Sequence, residues 1–218
     1  VASNIAAGLA RRTTWLADIR AYIEYSESPF AVAARVLGDR GLAKGRIGVE
    51  RREIGVQQWQ DLVAALPHAE LVDCTDALEG VRNIKTPAEL ELLRHAARLQ
   101  AEAHLEVFGT AQPGETERTL HARMVGAMLR LGAESAHGML QSSRTPMTYG
   151  GEGDVPIERG DAIRTDYVCY VEGYAANLSR MAVMDEPSAE QERLYTLVRN
   201  VHRETISTML RPGVAARD

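Results

Sequence analysis

The stretch RTDYVCYVEGYAANLSRMAV, residues 164 to 183, carries the clearest β pattern in the chain. Tyrosine and valine dominate its first half, and apolar residues recur in its second half at positions that include Leu178 and Val183. The dipeptide Glu172-Gly173 lies between the two halves and can form a tight turn. The stretch therefore predicts a β-hairpin.

An acid and an amide stand on the two strands of this hairpin. If the centre of the hairpin falls between Val171 and Glu172, Asp166 and Asn177 are directly opposed, with Cβ atoms about 4.5–5.5 Å apart. Side chains at that separation can share one ion or one substrate group. An ordinary hydrogen-bonded cross-strand pair is the alternative interpretation.

Composition and charge exclude several classes of protein. A chain of 218 residues, of which 45% are hydrophobic and 25% charged, can build an extended core. The net charge of −5, with both signs interspersed, predicts no nucleic-acid partner. No run approaches the roughly 18 apolar residues of a membrane span, and the first residues lack the apolar middle region of a signal peptide. We therefore expect no membrane partner and a cytoplasmic location.

Helix and strand patterns alternate from Trp15 to Cys74, which indicates an α/β domain. The predicted elements are a helix with Pro29 in its first turn, a strand at RIGVE (46–50), a helix at VQQWQDLVAAL (56–66) and a strand at AELVDC (69–74). These strands are too few for a complete doubly wound sheet. A linker is expected near residues 76–85.

Beyond the linker, the pattern changes to long amphipathic helices. Helices are predicted at 86–108, 115–131 and 188–210, packed on one face of a sheet that contains the hairpin. Thr86 and Ser188 are the predicted N-caps of the first and third helices, because Glu89 and Gln191 complete capping boxes. The intervening stretch 134–161 is predicted to be rich in loops.

Five segments of the chain together resemble one known family. They are RNIKTPAELELLRHAARL (82–99), PGETERTL (113–120), ERGDAIRTDYVCYVEGYAANLSRMAV (158–183), PSAEQERLYTLV (187–198) and LRPGVAARD (210–218). In this order and spacing they resemble the creatinase, proline dipeptidase and aminopeptidase P family, which has the pita-bread fold. The resemblance implies that residues 1–82 are the latter part of an α/β creatinase-type N-terminal domain. Residues 83–218 would then be the first half of an α+β pita-bread catalytic domain.

The resemblance assigns metal-binding roles to the hairpin pair. In the metallopeptidase members, the positions of Asp166 and Asn177 are both aspartates that bind a pair of divalent metals. Asp166 matches this pattern and Asn177 does not. An amide oxygen can coordinate a hard ion but adds no charge, so we expect a single ion (manganese, cobalt or zinc) or none. The remaining family ligands, one His and two Glu, come from later sequence, so the chain is expected to be a fragment or the ordered part of a longer protein, and inactive alone.

Three further residues are candidates for contact with the substrate. Tyr149 occupies the position of a family histidine that contacts substrate or moves protons. A phenol can polarise an oxyanion, although its reference pKa near 10 makes it a poor base. The alternative is that Tyr149 only lines the wall of the site beside a glycine-rich turn. His137 could supply the missing imidazole if its loop folds inward, and Arg144 and Arg180 could clamp a substrate carboxylate. Solvated positions or ion pairs are the alternatives for these three.

The resemblance implies a hydrolase of the Xaa-Pro dipeptidase or aminopeptidase P type. Such an enzyme would cleave a small peptide or amide substrate with metal assistance. The first alternative is a metal-independent, creatinase-like hydrolase of a small C–N compound, and the second is a non-catalytic binding descendant. Besides the substrate, the expected partner is a second copy of the chain in a homodimer.

Overall fold

The computed structural model describes residues 1–145 and 150–215. The chain divides into two compact units, Val1–Lys85 and Thr86–Asp218. Within the described ranges, no helix is both long enough and apolar enough to cross a membrane.

The first unit alternates short strands with helices. Its elements are strands β1 (Ala2–Ser3), β2 (Ala21–Tyr22), β3 (Arg46–Val49) and β4 (Glu70–Asp73), and helices α1 (Ala7–Thr13), α2 (Pro29–Asp39), α3 (Val56–Ala65) and α4 (Thr75–Asn83). β1 pairs in parallel with β2, and β3 in parallel with β4. The predicted helices and strands between Pro29 and Cys74 are confirmed, whereas most of the expected linker at 76–85 is helical.

The second unit combines helices with one antiparallel sheet. Its elements are helices α5 (Pro87–Thr110) and α6 (Glu117–Arg130), strands β5 (Ser135–Ser142), β6 (Ala162–Val171) and β7 (Tyr174–Val183), helix α7 (Ala189–Glu204) and a π-helical turn (Thr205–Met209). The strand order is β5-β6-β7. The predicted capping box of α5 is confirmed, because Thr86 Oγ1 accepts from the Glu89 amide at 3.3 Å and the Thr86 amide donates to Glu89 Oε2 at 2.6 Å.

Strict alternation along β6 gives the sheet two different faces. Odd-numbered residues such as Ile163, Thr165 and Tyr167 are buried beneath α5 and α6, in one core with Leu120 and Met124. Even-numbered residues of β6, together with their register partners on β5 and β7, form the other face, which we call the open face. A strand with a buried and a solvated side shows this period of two.

The hairpin register differs from the prediction. Glu172 and Gly173 have φ angles of 49° and 78°, as in a two-residue type I′ turn, so the centre of the hairpin lies between them. Asp166 therefore pairs with Ser179, and Asn177 pairs with Val168. The predicted direct opposition of Asp166 and Asn177 is wrong because it placed the centre one residue too early. The two side chains nevertheless share the open face, on a diagonal.

The prediction of loops across 134–161 is wrong for its first part, which forms β5. This strand runs antiparallel to β6, and it carries His137 opposite Val168. Gly138 allows the close approach of the two strands, because a Cβ there would lie 2.2 Å from the Asp166 carbonyl oxygen. A glycine in mid-strand weakens the β pattern in the sequence, which explains why the strand was missed.

Helix α7 begins where the sequence predicts but does not pack as predicted. Its capping box is present, since Ser188 Oγ accepts from the Gln191 amide at 3.3 Å. However, Leu197, Val198 and Val201 are exposed, and no described residue of the helix is buried. Apolar periodicity identifies the stripe that a helix can bury but not the element that covers it.

Candidate functional site

The Asp166 carboxylate is held by two donors from β7 on the open face. Asp166 Oδ1 accepts from Asn177 Nδ2 and from Ser179 Oγ, each at 3.1 Å. Ser179 is the direct cross-strand partner, and Asn177 reaches Asp166 from the diagonal position. The amide turns its NH₂ group toward the acid because its oxygen would be repelled there. The hairpin therefore fixes the orientation of one carboxylate.

Among the residues that the structure describes, the hairpin pair has no further metal ligand beside it. Asn177 offers Asp166 a hydrogen-bond donor where a second carboxylate would offer charge. In the part of the chain that the structure describes, no group of three or more His, Cys, Asp or Glu side chains could hold an ion. Asp166 can supply one oxygen ligand to a hard cation. The metal-ligand roles of Asp166 and Asn177 stay predictions.

His137 lies on the same face as the hairpin pair. The register places His137, Val168 and Asn177 in one row across β5, β6 and β7. The imidazole stacks on Tyr170, with ring centroids 6.0 Å apart and an interplanar angle of 25°. His137 is therefore a strand residue and not the loop residue that was expected. Its contact with substrate stays a prediction.

The two arginine candidates are engaged elsewhere. Arg144 donates from Nε to Asp161 Oδ2 at 2.6 Å and from Nη2 to Glu158. Burial alone would raise the pKa of the Asp161 carboxyl, but hydrogen bonds, including that from Arg144, hold it below its ordinary value.

Arg180 pairs with Thr165 and so belongs to the helix-covered side of the sheet, opposite Asp166. The role of Arg144 as a substrate clamp stays a prediction, as does that of Tyr149, which lies outside the described residues.

A buried polar network, to which no sequence pattern assigned a role, joins α5 to Thr165 and Tyr167, the neighbours of Asp166 in β6. His104 Nδ1 lies 2.8 Å from the Gln100 carbonyl oxygen, and Nε2 lies 3.0 Å from Thr165 Oγ1. Gln100 Nε2 in turn donates to the Tyr167 carbonyl oxygen at 2.5 Å. Because a carbonyl only accepts, Nδ1 carries a proton, and burial lowers the pKa of His104.

This network ties α5 to the strand that carries Asp166. Thr165 Oγ1 also contacts the Arg180 backbone of β7, at 3.0 Å from its oxygen and 3.2 Å from its nitrogen. The sequence signal was a pair of polar residues, Gln100 and His104, one turn apart on an otherwise apolar helix face. Two polar side chains on a buried helix face require hydrogen-bond partners.

Comparisons with known proteins identify the family. The family model for metallopeptidase family M24 matches residues 91–218. The model for the creatinase/prolidase N-terminal domain matches residues 4–84. The chain belongs to the M24 metallopeptidase family, as the resemblance of its five segments implied.

Individual relatives align with nearly the whole chain. The chain is 26% identical to creatinase from Bacillus sp. (strain B-0618) over 228 residues, which cover 100% of the chain and 55% of that protein. It is 25% identical to Xaa-Pro dipeptidase from Lactobacillus delbrueckii subsp. lactis over 219 residues, covering 96% of the chain and 58% of that protein. The chain thus spans somewhat more than half the length of these two curated relatives.

A solved structure confirms the fold. The X-Pro aminopeptidase from Thermotoga maritima MSB8 superposes with a TM-score of 0.78 at 21% identity, covering 94% of this chain and 57% of that one. The predicted combination of a partial α/β domain and a partial pita-bread domain is therefore confirmed.

Proposed function

We propose that the protein containing this chain is a hydrolase that cleaves a C–N bond in a small peptide or amide, with Xaa-Pro peptides as its substrate class. The observation that carries the proposal is the Asp166 carboxylate, oriented on the open face by Asn177 and Ser179. Membership of the M24 family supports it, as does the similarity to Xaa-Pro dipeptidase. A homodimer and a cytoplasmic location belong to the same proposal.

Asp166 is the ligand that this chain offers to a divalent metal. Both of its donors reach Oδ1, and no described residue donates to Oδ2. Oδ2 is thus the oxygen suited to face a cation or a cationic substrate group. Manganese, cobalt or zinc, when bound, supplies Lewis acidity toward the carbonyl that is cleaved. Asn177 holds the carboxylate in place without adding charge, which favours fewer ions than two aspartates would.

A second candidate is a metal-independent hydrolase of a small C–N compound. Two observations favour it, namely the amide at Asn177 and the 26% identity to creatinase. In that reaction Asp166 would bind a cationic group of the substrate, and His137 on the same face would move protons. The two candidates differ in whether activity survives removal of divalent metal.

Turnover by the full-length protein tests both candidates. Xaa-Pro dipeptides and creatine are assayed with added manganese and with a chelator, for the native protein and for the isosteric variant Asp166→Asn. We expect peptide hydrolysis that requires metal, and a loss of about 100-fold or more in the variant. Asp185→Asn makes the same change at an exposed acid and should leave activity unaltered. Normal hydrolysis by Asp166→Asn contradicts the role of Asp166, and creatine turnover in chelator supports the second candidate.

A further inference from the structure

The open face carries a positive charge beside the Asp166 carboxylate. Arg164 precedes Asp166 by two residues in β6, so both side chains project from the same side of the strand. Two residues of a strand span about 6–7 Å, which places a cation and an anion next to each other. Arg164 is half-buried. The chemistry proposed above for Asp166 makes no use of this arginine.

A buried amide holds the guanidinium of Arg164 on this face. Gln141 of β5 is the register partner of Arg164, and Arg164 Nη2 donates to Gln141 Oε1 at 2.7 Å. A guanidinium only donates hydrogen bonds, so the amide must turn its oxygen toward Arg164. Gln141 is only 3% exposed. A buried side chain therefore fixes where the guanidinium lies.

The orientation of Gln141 leaves a buried donor without an acceptor. Because Oε1 faces Arg164, Nε2 is turned away from the guanidinium, and within residues 1–145 and 150–215 no atom accepts a hydrogen bond from it. A buried donor left unpaired costs roughly 1–3 kcal/mol. Native proteins contain few such groups, so each one calls for an explanation. A bound ligand with an acceptor oxygen would remove this cost.

The chemistry of the two side chains selects a carboxylate as that ligand group. Guanidinium and amide N–H groups are all donors, and the guanidinium presents its donors in a planar fork that matches the two oxygens of a carboxylate. Asp166 beside them suits a group of the opposite charge. Consecutive Cα atoms of a peptide lie about 3.8 Å apart, so a molecule of dipeptide size can reach both Arg164 and Asp166.

We propose that Arg164, held by Gln141, binds a carboxylate of the substrate next to Asp166. The substrate class is thereby narrowed to small peptides and amides with a free carboxylate, such as an unblocked Xaa-Pro dipeptide. This inference rests on the proposed function, because it assigns the other end of the same substrate to Asp166. It differs from the clamp predicted at Arg144, whose guanidinium is engaged by two carboxylates.

Two substrates that differ only in the carboxylate test the inference. The full-length protein is assayed with alanylproline and with alanylprolinamide, in the native form and as Arg164→Met. The variant should raise KM for the free acid about tenfold or more and change KM for the amide less than about twofold. A merely structural role of Arg164 would affect both substrates alike. Equal effects on the two substrates, or no effect on either, overturn the inference.

Three further variants separate recognition from folding. Arg46→Met makes the same change at an exposed strand residue of the first unit and should leave both KM values as in the native protein. Arg164→Lys keeps the charge but loses the fork, so it should recover only part of the affinity for the free acid. Gln141→Glu keeps the shape and places a competing carboxylate beside the guanidinium. It should raise KM for the free acid about threefold more than for the amide, even if Arg164→Met does not fold.

Binding of a carboxylate can also be measured without turnover. Saturation-transfer NMR on the full-length protein compares proline with prolinamide, and creatine with creatinine, since only the first of each pair carries a carboxylate. We expect the native protein to bind at least one of the two carboxylates about fivefold or more tightly than its counterpart, and Arg164→Met to lose this preference.

The binding measurement keeps the inference distinct from the proposed function. If the native protein prefers a carboxylate but cleaves none of the tested peptides, the proposed function fails and the inference stands. If the native protein prefers neither carboxylate, or if Arg164→Met keeps the preference, the inference is overturned whatever the substrate is.

Discussion

Asn177 donates its side-chain amide to Asp166 across a diagonal of the β6–β7 pair, with 3.1 Å between Nδ2 and Oδ1. The family resemblance assigns a second aspartate to this position. The chain therefore keeps the proximity of the two side chains and loses one negative charge. Since charge contributes strongly to cation affinity, we expect this pair to limit how many ions the site holds.

Gly138 is required where β5 passes the strand that carries Asp166. A Cβ at Gly138 would lie 2.2 Å from the Asp166 carbonyl oxygen and 2.6 Å from the Tyr167 Cα, both of which are backbone atoms that cannot turn aside. We expect Gly138→Ala to lower the free energy of unfolding by about 3 kcal/mol, as measured by urea titration followed by circular dichroism.

The matched control for this change is Gly126→Ala on α6. A Cβ at Gly126 meets no atom within 4 Å, so alanine there should raise stability by about 0.5–1 kcal/mol through helix propensity. A Gly138→Ala protein as stable as the native one would show that β5 and β6 do not approach as closely as described.

The sequence predicts the positions of the helices more successfully than it predicts which residues pair across neighbouring strands. Capping boxes at Thr86 and Ser188 locate helix starts because the side chains that cap them are close in sequence. The Asp166–Asn177 register depends on which two residues form the turn, and an error of one residue shifts every pair of the hairpin. Burial of Glu117 depends on a loop that returns from far along the chain. No local sequence pattern predicts the contact between Glu117 and Gly153.

The turn residue Glu172 offers a direct check on the corrected register. Its φ angle of 49° lies in the left-handed region, which costs a residue with a Cβ roughly 1 kcal/mol but suits asparagine before glycine. Glu172→Asn should therefore raise the free energy of unfolding by about 0.5–1 kcal/mol, and Glu172→Val should lower it by about 1 kcal/mol. If valine is tolerated as well as asparagine, the two-residue turn is wrong.

Glu117 should make the protein sensitive to acid. Because its folded pKa is lowered from 4.5, its contribution to stability is complete above that value and is lost as pH falls through the folded pKa. Thermal unfolding should show Glu117→Gln less stable than the native protein at pH 7, by about 2 kcal/mol, with a difference that shrinks below pH 4.5. Glu53→Gln, at an exposed acid, is the control. A difference that stays constant down to pH 3 contradicts an ionised Glu117.

Metal binding by Asn177→Asp is the most direct test of the central proposal. That proposal is that Asp166 binds a divalent metal and that the neutral amide of Asn177 limits how many ions bind. Isothermal titration of the full-length protein with manganese compares the native form, Asn177→Asp and Asn200→Asp, the last making the same change on exposed α7. Restoring the carboxylate beside Asp166 should tighten manganese binding by about tenfold or more and add a second ion per chain, while Asn200→Asp binds as the native form does. Negligible manganese uptake in both the native protein and Asn177→Asp would contradict the metal-dependent account and favour the metal-independent C–N hydrolase.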